Sequence, residues 1–267
     1  MRANAIPRVG LTIGSSDSCG GAGIQGDIKA MASVGCYAQT VLVGVTAQNT
    51  TGVVARHTVP VDFVHTQLDA VFADIRVDAI KVGMTWSHEH IEAIGGRLAD
   101  VDVPIVIDPV MVTAAGSSLA GASVSAAVLK HLLPVATVVT PNLAEARLLT
   151  GLTDAAPREL ARCLVDLGAS AAVVTCGGPD GGEWFADHDT SVAIPRPGHR
   201  TGAEHGAGCA HSALIVGLLA HGLPVRDAVR AATTRTSAGV RDGLVSLGRG
   251  AHPVDLLGLG TSVPAEA

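Results

Sequence analysis

The stretch Val9-Gly-Leu-Thr-Ile13, running through Gly14-Ser-Ser-Asp17 into Gly20-Gly-Ala-Gly-Ile-Gln-Gly-Asp27, decides the fold. A short β-rich run, a glycine turn and a segment of helical periodicity over 22–34 make one strand–turn–helix unit. The unit recurs. Strands are predicted over 41–46, 79–82, 105–107, 135–140 and 171–175, with helices over 60–73, 88–98, 123–132, 143–149 and 158–167; Pro60 and Ser123 serve as start signals. A small antiparallel pair over 181–185 and 191–194 closes one edge. Strands and helices alternating this often imply right-handed crossovers and an α/β fold, a doubly wound, mostly parallel sheet with helices on both faces in three layers. Ligands of such sheets bind beyond the carboxyl ends of the strands.

A second glycine turn, Gly206-Ala-Gly-Cys209, precedes the apolar run 213–220. Small residues let consecutive backbone N–H groups converge on one point, and the helix dipole adds positive potential, so the turn reads as an anion cradle. Gly206, Ala207 and Gly208 supply the amides. Cys209 falls in the first helical turn, where a thiol pKa is expected to fall and the group to act as a base or polar contact. A bare GxG before a helix is also simply a tight turn.

The 267 residues suit one α/β domain over 1–267. Charged residues make up only 16%, as expected when helices cover both sheet faces. No apolar run approaches the roughly 18 to 20 residues needed to span a bilayer, so no membrane partner is expected. Residues 1–8 lack a secretory pattern and read as a short tail on a cytoplasmic protein. Five cysteines without a CxxC pair argue against a disulfide framework or a zinc site. A net charge of −6 with 2% aromatic residues argues against nucleic acid and for a small-molecule substrate. Arg226 and Arg230 read as a solvated helical face.

Several polar residues fall where strands should end: Asp17, Gln48-Asn49-Thr50, Asp108-Pro109 and Thr140-Pro-Asn142-Leu-Ala-Glu145. Each has a bland reading as a cap or turn former. Together, beside an anion cradle, they read as an active site. Oxygen donors at Asp108, Asn142 and Glu145 next to a phosphate site suggest magnesium-assisted phosphoryl transfer, the ion being held in part through its waters. Asn142 and Glu145, at i and i+3, are expected to point at the same ion or phosphate. The early glycines do not match the dinucleotide-binding GxGxxG pattern.

With GSSD at 14–17, GGAGIQGD at 20–27, TAQNT at 46–50, KVGM at 81–84, IDPVM at 107–111, TPNLAEA at 140–146 and HGAGC at 205–209, the chain resembles the hydroxymethylpyrimidine/phosphomethylpyrimidine kinases of thiamine biosynthesis nearly end to end. The resemblance implies a ribokinase-like fold, MgATP as cofactor and a homodimer. It also implies phosphorylation of a pyrimidine hydroxymethyl group and then of the monophosphate; pyridoxal kinases are close relatives. It places Asp27 and Gln48 as hydrogen-bond partners of the substrate ring, Ala22 and Met84 as pocket walls, and Gly14 and Asp17 as further substrate contacts. Thr175 and Gly177 join Asn142 and Glu145 at the nucleotide, and Asp108 and Glu145 would hold the metal. Cys209 would lie near the hydroxyl, where most of the superfamily places an aspartate. Three departures stand out. Thr113-Ala-Ala-Gly-Ser117 replaces AKSGD, Cys176-Gly-Gly-Pro179 replaces KGGH, and GAGC replaces GTGC. The lost lysines leave open a specialised-metabolism kinase or a catalytically silent pyrimidine-binding protein.

Overall fold

The computed structural model describes residues 6–111, 122–176, 181–199 and 201–261. Its centre is a nine-stranded sheet of order β3-β2-β1-β4-β5-β6-β7-β8-β9. The strands are β1 (Arg8–Asp17), β2 (Cys36–Asn49), β3 (Gly52–Thr58), β4 (Ala79–Val82), β5 (Ile105–Ile107), β6 (Val138–Val139), β7 (Ala171–Thr175), β8 (Glu183–Asp187) and β9 (Ser191–Ile194). Strands β2, β1, β4, β5, β6 and β7 run parallel, while β3, β8 and β9 form antiparallel margins.

The helices are α1 (Gly23–Ser33), α2 (Val61–Asp74), α3 (His88–Leu98), α4 (Ala122–Ala127), α5 (Leu143–Thr150), α6 (Pro157–Asp166), α7 (Ala207–Ala220) and α8 (Val225–Arg241). Alternation along the strands splits the core in two. Ile105 and Ile107 pack with Leu68 of α2, Ile94 of α3 and Leu164 of α6, whereas Val106 packs with Met31 of α1, Leu214 of α7 and Val229 of α8. Helix α7 is buried from Ala210 to Ala220: the run 213–220 is apolar all round, and His211 and Ser212 are buried with polar partners, Glu183 and Asp108. No helix among the described residues is long and apolar enough to cross a membrane.

The elements differ from the sequence reading where burial is weak or secondary structure is irregular. β1 and β2 extend beyond their predicted ends, so Gly14 and Asp17 belong to a strand. β3 was not predicted; it is a mostly exposed antiparallel hairpin partner whose Arg56 and His57 break any apolar alternation. Of α8 only the solvated helical face at Arg226 and Arg230 was expected, and both are exposed; its bounds were not read, because one narrow face of alanine, valine and threonine carries its burial. The strand expected over 135–140 shrinks to two residues, since Leu133–Val135 form a 3₁₀ turn. Helix α4 passes into a π turn over Val128–Leu132.

The chain crosses from β1 to β2 on one side and returns to β4 on the other. The carboxyl ends of β1 and β4 therefore flank the point where the strand order reverses, the crevice in which doubly wound folds bind ligands.

Candidate active site

Both glycine turns meet at that point. Gly206 caps α7 with φ of 80°, a left-handed conformation that glycine adopts without strain. A Cβ on Gly206 would collide with the carbonyl oxygen of Gly21, and one on Gly21 would strike the ring of His205. The two turns are thus packed backbone to backbone. The N–H of Ala207 donates to Glu204 O at 3.0 Å, so it is spent within the turn and does not serve the cradle as expected. Gly208 and Cys209 carry the first-turn N–H groups that a helix cannot satisfy internally. Ala22, the N-cap of α1, packs against Gly206, the N-cap of α7. Two helix N-termini meet beside Cys209.

Asp17 organises the first turn. Its Oδ1 accepts from Cys19 N at 2.8 Å; its Oδ2 accepts from Ala22 N and from His205 Nε2, both at 2.9 Å. Burial pushes the carboxyl up, but the bonds from His205, Ala22 and Cys19 outweigh it and hold the group below its ordinary range. Both carboxylate oxygens thus hold the turn's backbone and His205 in place. Gln25 Oε1 accepts from Asp17 N at 2.9 Å, and Lys29 donates to Gly20 O at 2.8 Å.

Asp27 also differs from expectation. Only 2% exposed, it accepts from Thr12 Oγ1 at 2.6 Å and from Lys81 Nζ at 2.5 Å, so both oxygens serve an internal network rather than a substrate ring. Lys81, 1% exposed, also lies 3.6 Å from Asp108 and donates to the carbonyl oxygen of Cys209 at 3.1 Å. Burial alone would strip its charge, but the carboxylates of Asp27 and Asp108 overcome this, so Lys81 stays a cation. Ser212, one turn beyond Gly208, donates to Asp108 at 2.8 Å. The first turn of α7 thus rests on a buried Asp27–Lys81–Asp108 network.

Lys81 stands in the KVGM motif, but its role is not legible from that motif alone. The available signal was a lone cation inside the apolar strand Ala-Ile-Lys-Val. His205, Thr12 and Ser212 were missed as well, because their partners lie far away in sequence.

The Cys209 thiol is pushed up to about 12, chiefly by burial; Lys81 pulls it down while Asp27 and Asp108 push it further up. The expected lowering by the helix N-terminus is overturned, because desolvation dominates. Asn142 and Glu145 likewise do not aim at a common ion. They form a capping box, in which Asn142 Oδ1 accepts from Glu145 N at 2.9 Å and Glu145 Oε2 accepts from Asn142 N at 3.0 Å. Glu145 Oε1 accepts from Met111 N at 3.1 Å, tying α5 to the segment after β5.

The remaining expected residues keep their places at the carboxyl edge. Gly14 stands beside the backbone of Gly83 and Met84, and Ser15 Oγ donates to Met84 O at 3.3 Å. Ala22 caps α1 next to Gly206. Gln48, half-buried near the end of β2, accepts from Thr46 Oγ1 at 3.2 Å, and its backbone N and O both bond Ser18 Oγ at 2.7 Å. Thr175 pairs with Asn142 in a parallel bridge across the ends of β6 and β7. Gly177, the segment 113–117 and Arg200 lie outside the described residues.

The phosphomethylpyrimidine kinase family model matches residues 17–255. The chain belongs to this family. A hydroxymethylpyrimidine/phosphomethylpyrimidine kinase of Rhizobium meliloti is 41% identical over 92% of this chain and 96% of its own length. Among solved structures, the phosphomethylpyrimidine kinase of Clostridium difficile superposes with a TM-score of 0.75 at 30% identity, covering 84% of this chain and 96% of that one. A Staphylococcus aureus pyridoxal kinase in complex with AMP-PCP and pyridoxal gives 0.85 at 29% identity, over 94% of both chains. The likeness places the sheet and its two helical layers in the ribokinase-like fold, and the family makes the chain a phosphotransferase.

Proposed function

We propose that this kinase transfers the γ-phosphoryl group of ATP to the hydroxymethyl group of 4-amino-5-hydroxymethyl-2-methylpyrimidine. The observation that carries the reading is the meeting of the α1 and α7 N-termini beside Cys209 at the strand-order reversal, above the buried Lys81 network. Unpaired amides there are suited to the charge on a phosphoryl group in flight. Gly14, Ala22 and Met84 line the approach for a flat ring, and Gln48 supplies a directional hydrogen bond to it.

During transfer the bond from γ-phosphorus to ADP oxygen breaks and one to the hydroxymethyl oxygen forms. A thiol near 12 is protonated at neutral pH. Cys209 therefore acts as a relay, its sulfur taking the hydroxyl proton while its own S–H proton passes to a phosphate oxygen. The amides of Gly208 and Cys209 hold the transferring oxygens.

Magnesium fits the donor set only in part. Glu145 gives both oxygens to backbone N–H groups, so it is not offered as a direct ligand. Asp108, held by Ser212 and close to Lys81, fits a hydrated ion held through its waters. When bound, magnesium would neutralise charge shared between the β- and γ-phosphates.

A substrate panel tests the ring. With MgATP, kcat/KM for hydroxymethylpyrimidine should exceed that for pyridoxal and pyridoxine. A preference for pyridoxal would transfer the reading to pyridoxal kinase, and no ADP release with any alcohol would favour a silent binding protein.

A further inference from the structure

Three side chains suited to a borderline-soft divalent cation meet where the glycine turns touch. Asp17 ends β1, Cys19 lies two residues on, and His205 immediately precedes Gly206. Their carboxylate oxygen, thiol sulfur and imidazole nitrogen all lie within 4.8 Å of one another. Zinc bonds of about 2.0 to 2.3 Å in a tetrahedron put donor atoms roughly 3.3 to 3.6 Å apart. Asp17 Oδ2 and His205 Nε2 stand at 2.9 Å, so the observed spacing brackets the required one and small side-chain rotations reach it.

The surroundings are those of a formed site. The His205 backbone is fixed by bonds to His252 O at 3.0 Å and from Val254 N at 3.3 Å, and its side chain is only 10% exposed. Asp17 keeps the N–H groups of Cys19 and Ala22 as outer partners, which orient a ligating carboxylate. Cys19 is half-buried and gives an ion access from solvent. A thiol and an imidazole exclude magnesium, which takes oxygen ligands, and select zinc or its relatives.

We propose that the chain binds one zinc ion through Asp17 Oδ2, Cys19 Sγ and His205 Nε2, with water in the fourth position. On binding, the thiol proton leaves to solvent and the imidazole carries its remaining proton on Nδ1. The ion joins the end of β1 to the turn before α7 and so clamps the two glycine turns together. This departs from the sequence expectation of no zinc site, which rested on the lack of a CxxC pair; here the ligands come together only through the fold.

Cobalt(II) is the probe, added to the full chain without nucleotide or alcohol, so the outcome is independent of the kinase reading. The expected result is one equivalent bound, tetrahedral visible bands and a thiolate-to-cobalt charge-transfer band in the near ultraviolet, all displaced by zinc. Cys19→Ser should abolish the charge-transfer band and weaken cobalt binding at least about tenfold. Cys209→Ser should leave both intact. Zinc should raise the Tm of the unaltered chain but not that of Cys19→Ser, and Cys19→Ser should keep its zinc-free turnover. Circular dichroism verifies its fold, with Cys19→Ala as a second variant. No cobalt binding, a charge-transfer band that survives Cys19→Ser, or one lost in Cys209→Ser would overturn the proposal.

Discussion

Lys81→Met tests the base of the site. The substitution leaves Asp27, 2% exposed, and Asp108, 5% exposed, without the cation between them and removes the donor to Cys209 O. Breaking a buried ion pair by removing one partner costs about 3 to 5 kcal/mol, because the remaining charge stays desolvated. Set against a total stability of roughly 5 to 15 kcal/mol, that is a large fraction, so urea unfolding is best followed at low temperature. The companion variants are Asp27→Asn, which keeps a hydrogen-bonding group for Thr12, and the double variant. Removing both charges should restore at least about 1.5 kcal/mol relative to the sum of the single losses, within the range found for residues in direct contact. The folded fraction of Lys81→Met should also show lower kcat, since the first turn of α7 loses its anchor. A cost below about 1 kcal/mol, or additivity within about 0.5 kcal/mol, would refute the network.

Cys209→Ala should leave nucleotide binding intact and lower kcat by about ten- to ten-thousandfold, the span for a lost proton-transfer or anion contact; with the thiol near 12, the unaltered enzyme should show no thiolate inflection in kcat between pH 6 and 9. Unchanged turnover, or a cysteine inflection near pH 7, would contradict this. Gln48→Ala should weaken binding of the pyrimidine by about 1 to 3 kcal/mol in calorimetry, and equal affinity would remove Gln48 from the pocket. Ala114 and Cys176 stand where the family pattern offers lysines, so the monophosphate should be phosphorylated at least about tenfold less efficiently than the alcohol, or roughly 1.4 kcal/mol in transition-state stabilisation. Cys176→Lys should recover part of it; comparable efficiencies in the unaltered chain would defeat the argument.

The strand–turn–helix units were legible because the buried strands are largely apolar runs and each parallel pair needs a crossover. Gly21 and Gly206 were legible as turns, but their contact was not, since more than half of the chain separates them. β3 escaped because it is exposed, and of α8 only the solvated face at Arg226 and Arg230 was legible, since the helix buries only a narrow face. Within the site, Asn-x-x-Glu satisfies a capping box and an ion site equally well on paper, and only the backbone geometry at Asn142 separates them. Position at a helix start points to a lowered thiol at Cys209, but desolvation, which only the fold reveals, outweighs it. Asp27 was assigned outward for want of its partner, Lys81, a lone cation in an apolar strand.

The most direct measurement of the central claim follows the γ-phosphoryl group. Enzyme, hydroxymethylpyrimidine and γ-labelled MgATP are mixed, and the label is traced by product mass alongside ADP. The account predicts one phosphoryl group on the hydroxymethyl oxygen for each ADP formed. Label released as inorganic phosphate, or an alcohol recovered unmodified while ATP stays intact, would contradict it.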